Sequence, residues 1–257
     1  MTLGLRGIGA GHVASGDPSA RGTVHAMANK RSDRPRRALD RSTIARTAVE
    51  IADREDLAAL TIRRLAQELD VPAMTLYGYV ANKDEILDAM ADSIMGSYAL
   101  PPLTPDTTAH DAFVAVTARL AELFRRHPSV ARILTMRVTN SPDALDGAME
   151  QILDRFLVVG MPPELAVQAY GAMMHYALGS VLYQLPRPWG DGTTQDRPDR
   201  AARVEFYRSL DAERFPRLRA LSDVLPTLPS KRQFECGLDA LATGLALDRV
   251  GAEPVMS

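Results

Sequence analysis

One cysteine in 257 residues, Cys236, has no partner for a disulfide within the chain, and no CxxC or Cys/His cluster stands ready to hold zinc. The expectation is a fold without disulfide, metal or cofactor, in a reducing cytoplasmic setting. Long apolar runs are missing too: charge interrupts each hydrophobic stretch at helical spacing, short of the roughly 20 residues that cross a bilayer. No membrane partner is expected. Residues 4–19 mix Gly, Ala, Ser and Asp and lack the basic start and apolar centre of a secretory leader, so residues 1–36 are expected to be a disordered extension with a basic arm. The nucleophile elbow GxSxG, the P-loop, GxGxxG and HExxH are all absent. His110, His127 and His175 show no spacing that suits a metal or a general base, so an all-α enzyme built on Cys236 or His175 lacks every signature it needs.

What the chain does contain is helical periodicity, with 46% hydrophobic residues to bury and no convincing alternation that would signal a sheet. An all-α fold is expected. Ile44, Ala48, Ile51 and Ala52 form one stripe of a first helix over residues 43–54. Thr61 caps a second helix whose buried face is Ile62, Leu65, Ala66 and Leu69. Asp70 tolerates a left-handed turn, and Pro72 suits the start of a third helix over residues 73–80. Two short helices joined so tightly cross sharply, which is the geometry of a helix-turn-helix. Asn82 caps a fourth helix reaching Tyr98, with Ile86, Leu87, Met90 and Ile94 inward. Further helices are expected at 110–126, 129–138, 142–159, 162–185, 201–215 and 231–250, with a Pro/Gly-rich loop at 186–199.

Net charge is only −2, yet Lys30, Arg31, Arg34, Arg36 and Arg37 crowd together just before the first helix. Whole-chain charge averages over regions with different roles. The major groove admits one α-helix, and neighbouring helix ends meet phosphates. Ala73, Met74, Thr75, Tyr77 and Gly78 are the positions the third helix is expected to expose. Thr75 suits a base edge or a phosphate, and Ala73 and Met74 suit thymine methyls. The basic residues 34–41, Arg37 among them, suit either a minor groove or plain solvation.

The stretch TIRRLAQELDVPAMTLYGYVANK, residues 61–83, followed by DEILDAM, resembles the DNA-binding core of the tetracycline-repressor family of bacterial regulators. The resemblance implies that Arg63 reaches a base, and that Thr61, Tyr77, Tyr79 and Lys83 hold phosphates or flanking bases. It implies a repressor, with residues 37–98 as a helix-turn-helix domain and 99–257 as a helical ligand-binding and dimerisation domain. Asp70 stands where the family's turn carries glycine, Pro72 where a small polar residue opens the third helix, and Gly78 and Tyr79 where a larger residue and a histidine are common. The operator sequence does not transfer across those changes.

Two-fold symmetry would match a palindromic operator. The last helix carries Phe234, Leu238, Leu241 and Leu245 in one stripe, beside Gly237, Ala240 and Gly244, where another helix can approach closely. The resemblance adds Tyr170, Met174, Ala177 and Val181 of the long helix before the Pro-rich loop as dimer contacts. Candidate effector contacts are Phe113, Leu134, Met136, Phe156, Tyr170, Met173, Met174, His175, Tyr176, Tyr183 and Trp189, a set that favours a hydrophobic or amphipathic molecule. Two other readings stay open: a ligand-independent DNA-binding or protein-interaction dimer, and a fold-mate that no longer binds DNA.

Overall fold

The computed structural model describes residues 39–187 and 198–250, all helix and connection with no strand among them. Polar caps set the first helices: Asp40 accepts the Thr43 amide (2.7 Å) ahead of α1 (Arg41–Glu55), and Thr61 accepts that of Arg64 (3.0 Å) ahead of α2 (Ile62–Glu68). Asn82 does the same for Glu85 (3.0 Å) before α4 (Lys83–Gly96). Between α2 and α3 (Ala73–Leu76), Asp70 takes φ 53°, the left-handed turn expected of it. The third helix is shorter than its periodicity predicts. Regular helix stops at Leu76, and single turn bonds carry the chain to Val80 past Gly78, the residue with the least to lose by leaving a helix.

The stripe predicted for α1 is entirely buried, and it closes with Leu65, Leu76, Val80, Ile86 and Met90 into the core of a small head. Below it, α5 (Ala109–Arg126), opened by a Thr108/Asp111 capping box, lies along α9 (Pro163–Gln184). Phe113, Leu120 and Phe124 of α5 are buried with Ala166, Ala169, Met173 and Ala177 of α9, three alanines that let the two axes come close.

Several boundaries move, each for a tertiary reason. The helix expected at 129–138 is α6 (Pro128–Leu134), with Pro128 at its first position, where no amide hydrogen is missed. The single helix expected at 142–159 is α7 (Pro142–Ala144), a π-helical turn (Leu145–Glu150) and α8 (Gln151–Val158) in succession. The wide turn sits where Gly147 meets α4: a Cβ on Gly147 would fall 2.5 Å from the Gly96 Cα. Further on, α10 (Pro198–Ser209) ends before Phe215, and α11 (Pro216–Ala220) and a 3-10 turn (Leu225–Thr227) pack beside it. The last helix, α12 (Lys231–Gly244), breaks at Ala246 (φ 57°), so that Leu247 turns into the core and Asp248 reaches His110 Nδ1 at 2.6 Å.

Head and body meet through α6 and its flanks. Asp53 of α1 accepts from the Ser129 amide (3.1 Å) and hydroxyl (2.5 Å) and lies 2.9 Å from His127 Nδ1. Arg132 reaches Asp56 (2.7 Å), and Arg137 grips Asp88 of α4 with two nitrogens (2.5 and 2.9 Å). The Tyr98 hydroxyl donates to the Val116 carbonyl (3.0 Å), tying the end of α4 to α5.

Candidate nucleic-acid interface

At the outer end of the head, α2, the turn and α3 present Arg63, Met74, Thr75, Tyr77, Gly78 and Tyr79 to solvent, with Leu76 and Val80 inward as the spacing requires. Ala73 is half-buried, while Thr61 and Lys83 are exposed. Arg37 lies outside the described residues.

Neighbouring arginines are treated differently. Glu55 accepts from Arg64 (2.8 and 3.1 Å) and from Arg54 (2.7 and 3.2 Å), and Arg64 also reaches Glu68 (2.6 Å). Those hydrogen bonds, Arg64 first and then Arg54, hold the Glu55 carboxyl down at about 2 and raise the Arg64 guanidinium above its ordinary value. Exposed pairs of this kind add little stability; what they do is neutralise Arg64. Arg63 has no hydrogen-bond or ion-pair partner among the described residues, and neither has Lys83. Both stand at the rim of the turn, with no acidic neighbour to neutralise them among the described residues.

Two side chains are placed here in a way the sequence did not foretell: Arg41, expected only as the end of the basic segment 34–41, and Gln67. Arg41 of α1 donates to the Tyr79 carbonyl (3.0 Å) and to Glu85 (3.2 Å), and Glu85 accepts from the Ala81 amide (3.0 Å), which pins the end of the reading turn to α1 and α4. Nothing local in the sequence signals so remote a bond. Gln67, exposed and unpartnered among the described residues, stands one turn after Arg63, and its i+4 spacing was legible.

The proposed effector contacts separate into groups. Phe113, Phe156 and Met173 are fully buried, the two rings 6.2 Å apart, and belong to the closed core. Leu134, Tyr170 and Met174 are half-buried against that core. Met136 is 69% exposed beyond α6, and Trp189 lies outside the described residues. His175 and Tyr183 do come together, with Tyr176, Ser180, Gln233 and Phe234, in a groove of about 330 Å³ between α9 and the start of α12.

The proposed dimer contacts need a correction. Val181 and Leu238 are buried inside their own chain and offer no surface to a partner. Gly237 makes room for Tyr176, whose ring stacks on Phe234 at 5.2 Å and whose hydroxyl donates to the Phe234 carbonyl (2.8 Å). Leu241 and Leu245 stay partly exposed, and the space around Gly244 is open. One face of α9 is apolar and only partly covered by the described residues: Val167, 62% exposed, is followed at helical spacing by the half-buried Gly171, Met174, Leu178 and Leu182 and the exposed Leu185.

A second, larger cleft of about 880 Å³ opens between α1, α4 and the π-helical turn, lined by Arg41, Glu85, Asp88, Asp92, Asp143 and Asp146 among others. Burial, reinforced by Asp88 and Asp143 and opposed by the Ser141 hydroxyl, pushes the Asp92 carboxyl up. No group of acidic, His or Cys side chains among the described residues is arranged to hold a metal, and no described helix is long and apolar enough to cross a membrane.

A family model described as tetracyclin repressor-like, C-terminal domain, matches residues 101–248. The chain is 32% identical over 219 residues to the HTH-type transcriptional repressor DrrR1 of Streptomyces coeruleorubidus, covering 84% of this chain and 79% of that one. Identity is 29% over 209 residues to the class G tetracycline repressor protein of Vibrio anguillarum, 80% of this chain and 93% of that one. Among solved structures, that of the Streptomyces coelicolor protein ActR in complex with actinorhodin matches with a TM-score of 0.67 at 31% identity, over 82% of this chain and 97% of that one.

Proposed function

This chain belongs to the tetracycline-repressor family of transcriptional regulators, and from that premise we propose that it is a repressor that binds a palindromic operator as a homodimer and leaves it when a hydrophobic or amphipathic molecule binds. The observation that carries the DNA reading is the contrast on α2: Arg64 is neutralised by Glu55 and Glu68, while Arg63 and Lys83 flank an exposed reading turn with their charge unspent. Arg63 takes a base, commonly guanine, and Thr61, Tyr77, Tyr79 and Lys83 take phosphates or flanking bases that set register. Arg37 belongs to a cytoplasmic, DNA-facing arm in the same reading.

The partly exposed apolar face of α9 and the open side of α12 support a two-fold helical interface, since a helix apolar all round is normally buried all round. The groove beside His175 and Tyr183 is large enough for a small effector. Its wall, α9, packs on α6, and α6 and its flanks hold Asp53, Asp56 and Asp88 of the head, so a molecule that favours one placement of α9 biases the head. Release requires only that the effector bind the two arrangements with different affinity.

The deciding experiment is fluorescence anisotropy on the chain's own upstream intergenic DNA, titrated against salt. Selective binding is expected to be lost in Arg63→Ala and Thr75→Ala, with about 1–3 kcal/mol lost per half-site for a bidentate base contact at Arg63. A wild-type protein that binds all duplexes equally at every salt concentration overturns the reading.

A further inference from the structure

The reading turn is poor in hydrogen-bonding groups that distinguish one base from another. Between Ala73 and Tyr79 the exposed side chains are Met74, Thr75, Tyr77 and Tyr79, with no amide, carboxylate or guanidinium among them. Adenine is read by an Asn or Gln amide, guanine by Arg or Lys, and cytosine by a carboxylate; thymine alone also offers a methyl group. The three hydroxyls on the turn donate or accept equally well and separate the bases weakly.

What the turn does hold out is apolar surface. Met74 is 78% exposed, more than any other large apolar side chain among the described residues of the head. It stands in the first turn of α3, at the end of the reading helix that meets base edges in a helix-turn-helix. Beside it Gly78 leaves the outer side of the turn bare: a Cβ there would touch only the Thr75 carbonyl, at 3.4 Å, so the backbone itself is free to sit close to the groove floor. Arg41 and Glu85 hold the far end of the turn in place, so Met74 is presented from a fixed support and not from a loose loop.

We propose that α3 reads its operator through methyl groups, with Met74 packed against the C5-methyl of thymine, and that this contact, more than a hydrogen-bond pattern, sets the base preference beneath α3. The proposal rests on the DNA-binding reading above and specifies what that site recognises. Methionine is well matched to a methyl-lined surface, because its unbranched, polarisable side chain adapts to the shape it meets.

The full chain is first used to select its preferred duplex from a random pool. Each thymine of that duplex is then replaced in turn by deoxyuridine, which deletes the methyl and leaves the pairing edge unchanged, and affinity is measured at one fixed salt concentration. At one thymine or more in each half-site the replacement is expected to weaken binding about fourfold, the ratio that corresponds to ~0.8 kcal/mol for a buried methyl-sized group. Met74→Ala is expected to bind the thymine and uracil duplexes equally. If no deoxyuridine replacement changes affinity, methyl readout is wrong while DNA binding stands. If Met74→Ala keeps the preference for thymine, the assignment to Met74 is wrong. If the pool yields no preferred sequence, the DNA reading fails and this proposal fails with it.

Discussion

Asp92 holds a carboxylate where its Oδ1 has neither solvent nor a hydrogen-bond donor, on the wall of the acidic cleft between head and body. Burial raises its pKa, so folding favours the protonated form: the carboxyl's contribution is present below the ordinary carboxylate range and is lost as pH rises through the raised folded value. Asp92→Asn should therefore raise the melting temperature at pH 7 and converge with wild type near pH 4, as thermal melts across that range would reveal. A variant that melts lower at pH 7 would mean that the charge is stabilised by something the cleft supplies. Caps and the turn were the most legible features here, because Thr61 and Asn82 act on backbone three positions away and Asp70 adopts its left-handed conformation locally. Asp92 and Arg41 were not legible, since their surroundings are assembled from helices far apart in sequence.

Helices with a long apolar stripe were placed within a residue or two, as α1, α4 and α5 show, because period and caps agree. The failures lie where another element intrudes. Residues 142–159 carry a continuous helical pattern, and nothing in it foretells that Gly147 must press on Gly96 through a π-helical turn. The same holds at Ala246, whose left-handed backbone answers to the burial of Leu247 and the bond from His110 to Asp248. Gly147→Ala should cost about 1–3 kcal/mol in urea unfolding, because the new methyl meets backbone that cannot rotate away. Unchanged stability would show that the α4 crossing is looser than 2.5 Å implies.

For the whole molecule, the decisive surface is the apolar face of α9 that the described residues cover only in part, and the dimer reading makes a prediction there of unusual sign. A Cβ on Gly171 meets no atom within 4 Å in its own chain, and replacing a helix glycine gains up to about 1 kcal/mol of helix propensity. Gly171→Glu should thus leave the folded monomer intact or firmer, yet convert dimer to monomer in sedimentation equilibrium and weaken operator binding. A dimer that survives the substitution would move the interface off this face. Fold class and the tight turn between α2 and α3 were visible in the sequence; which side of α9 and α12 stays free was not, because Val181 and Leu238 look identical in pattern to residues that face outward. The four carboxylates Asp53, Asp56, Asp84 and Asp88 of the head all find their partners on or beside α6: His127 and Ser129, Arg132, and Arg137. The head is consequently matched to this body at one enclosed point, Asp53. A chimera that grafts residues 39–98 onto another regulator's body would leave the exposed Asp56, Asp84 and Asp88 to solvent but would deprive the more enclosed Asp53 of His127 and Ser129, so those two residues should travel with the graft.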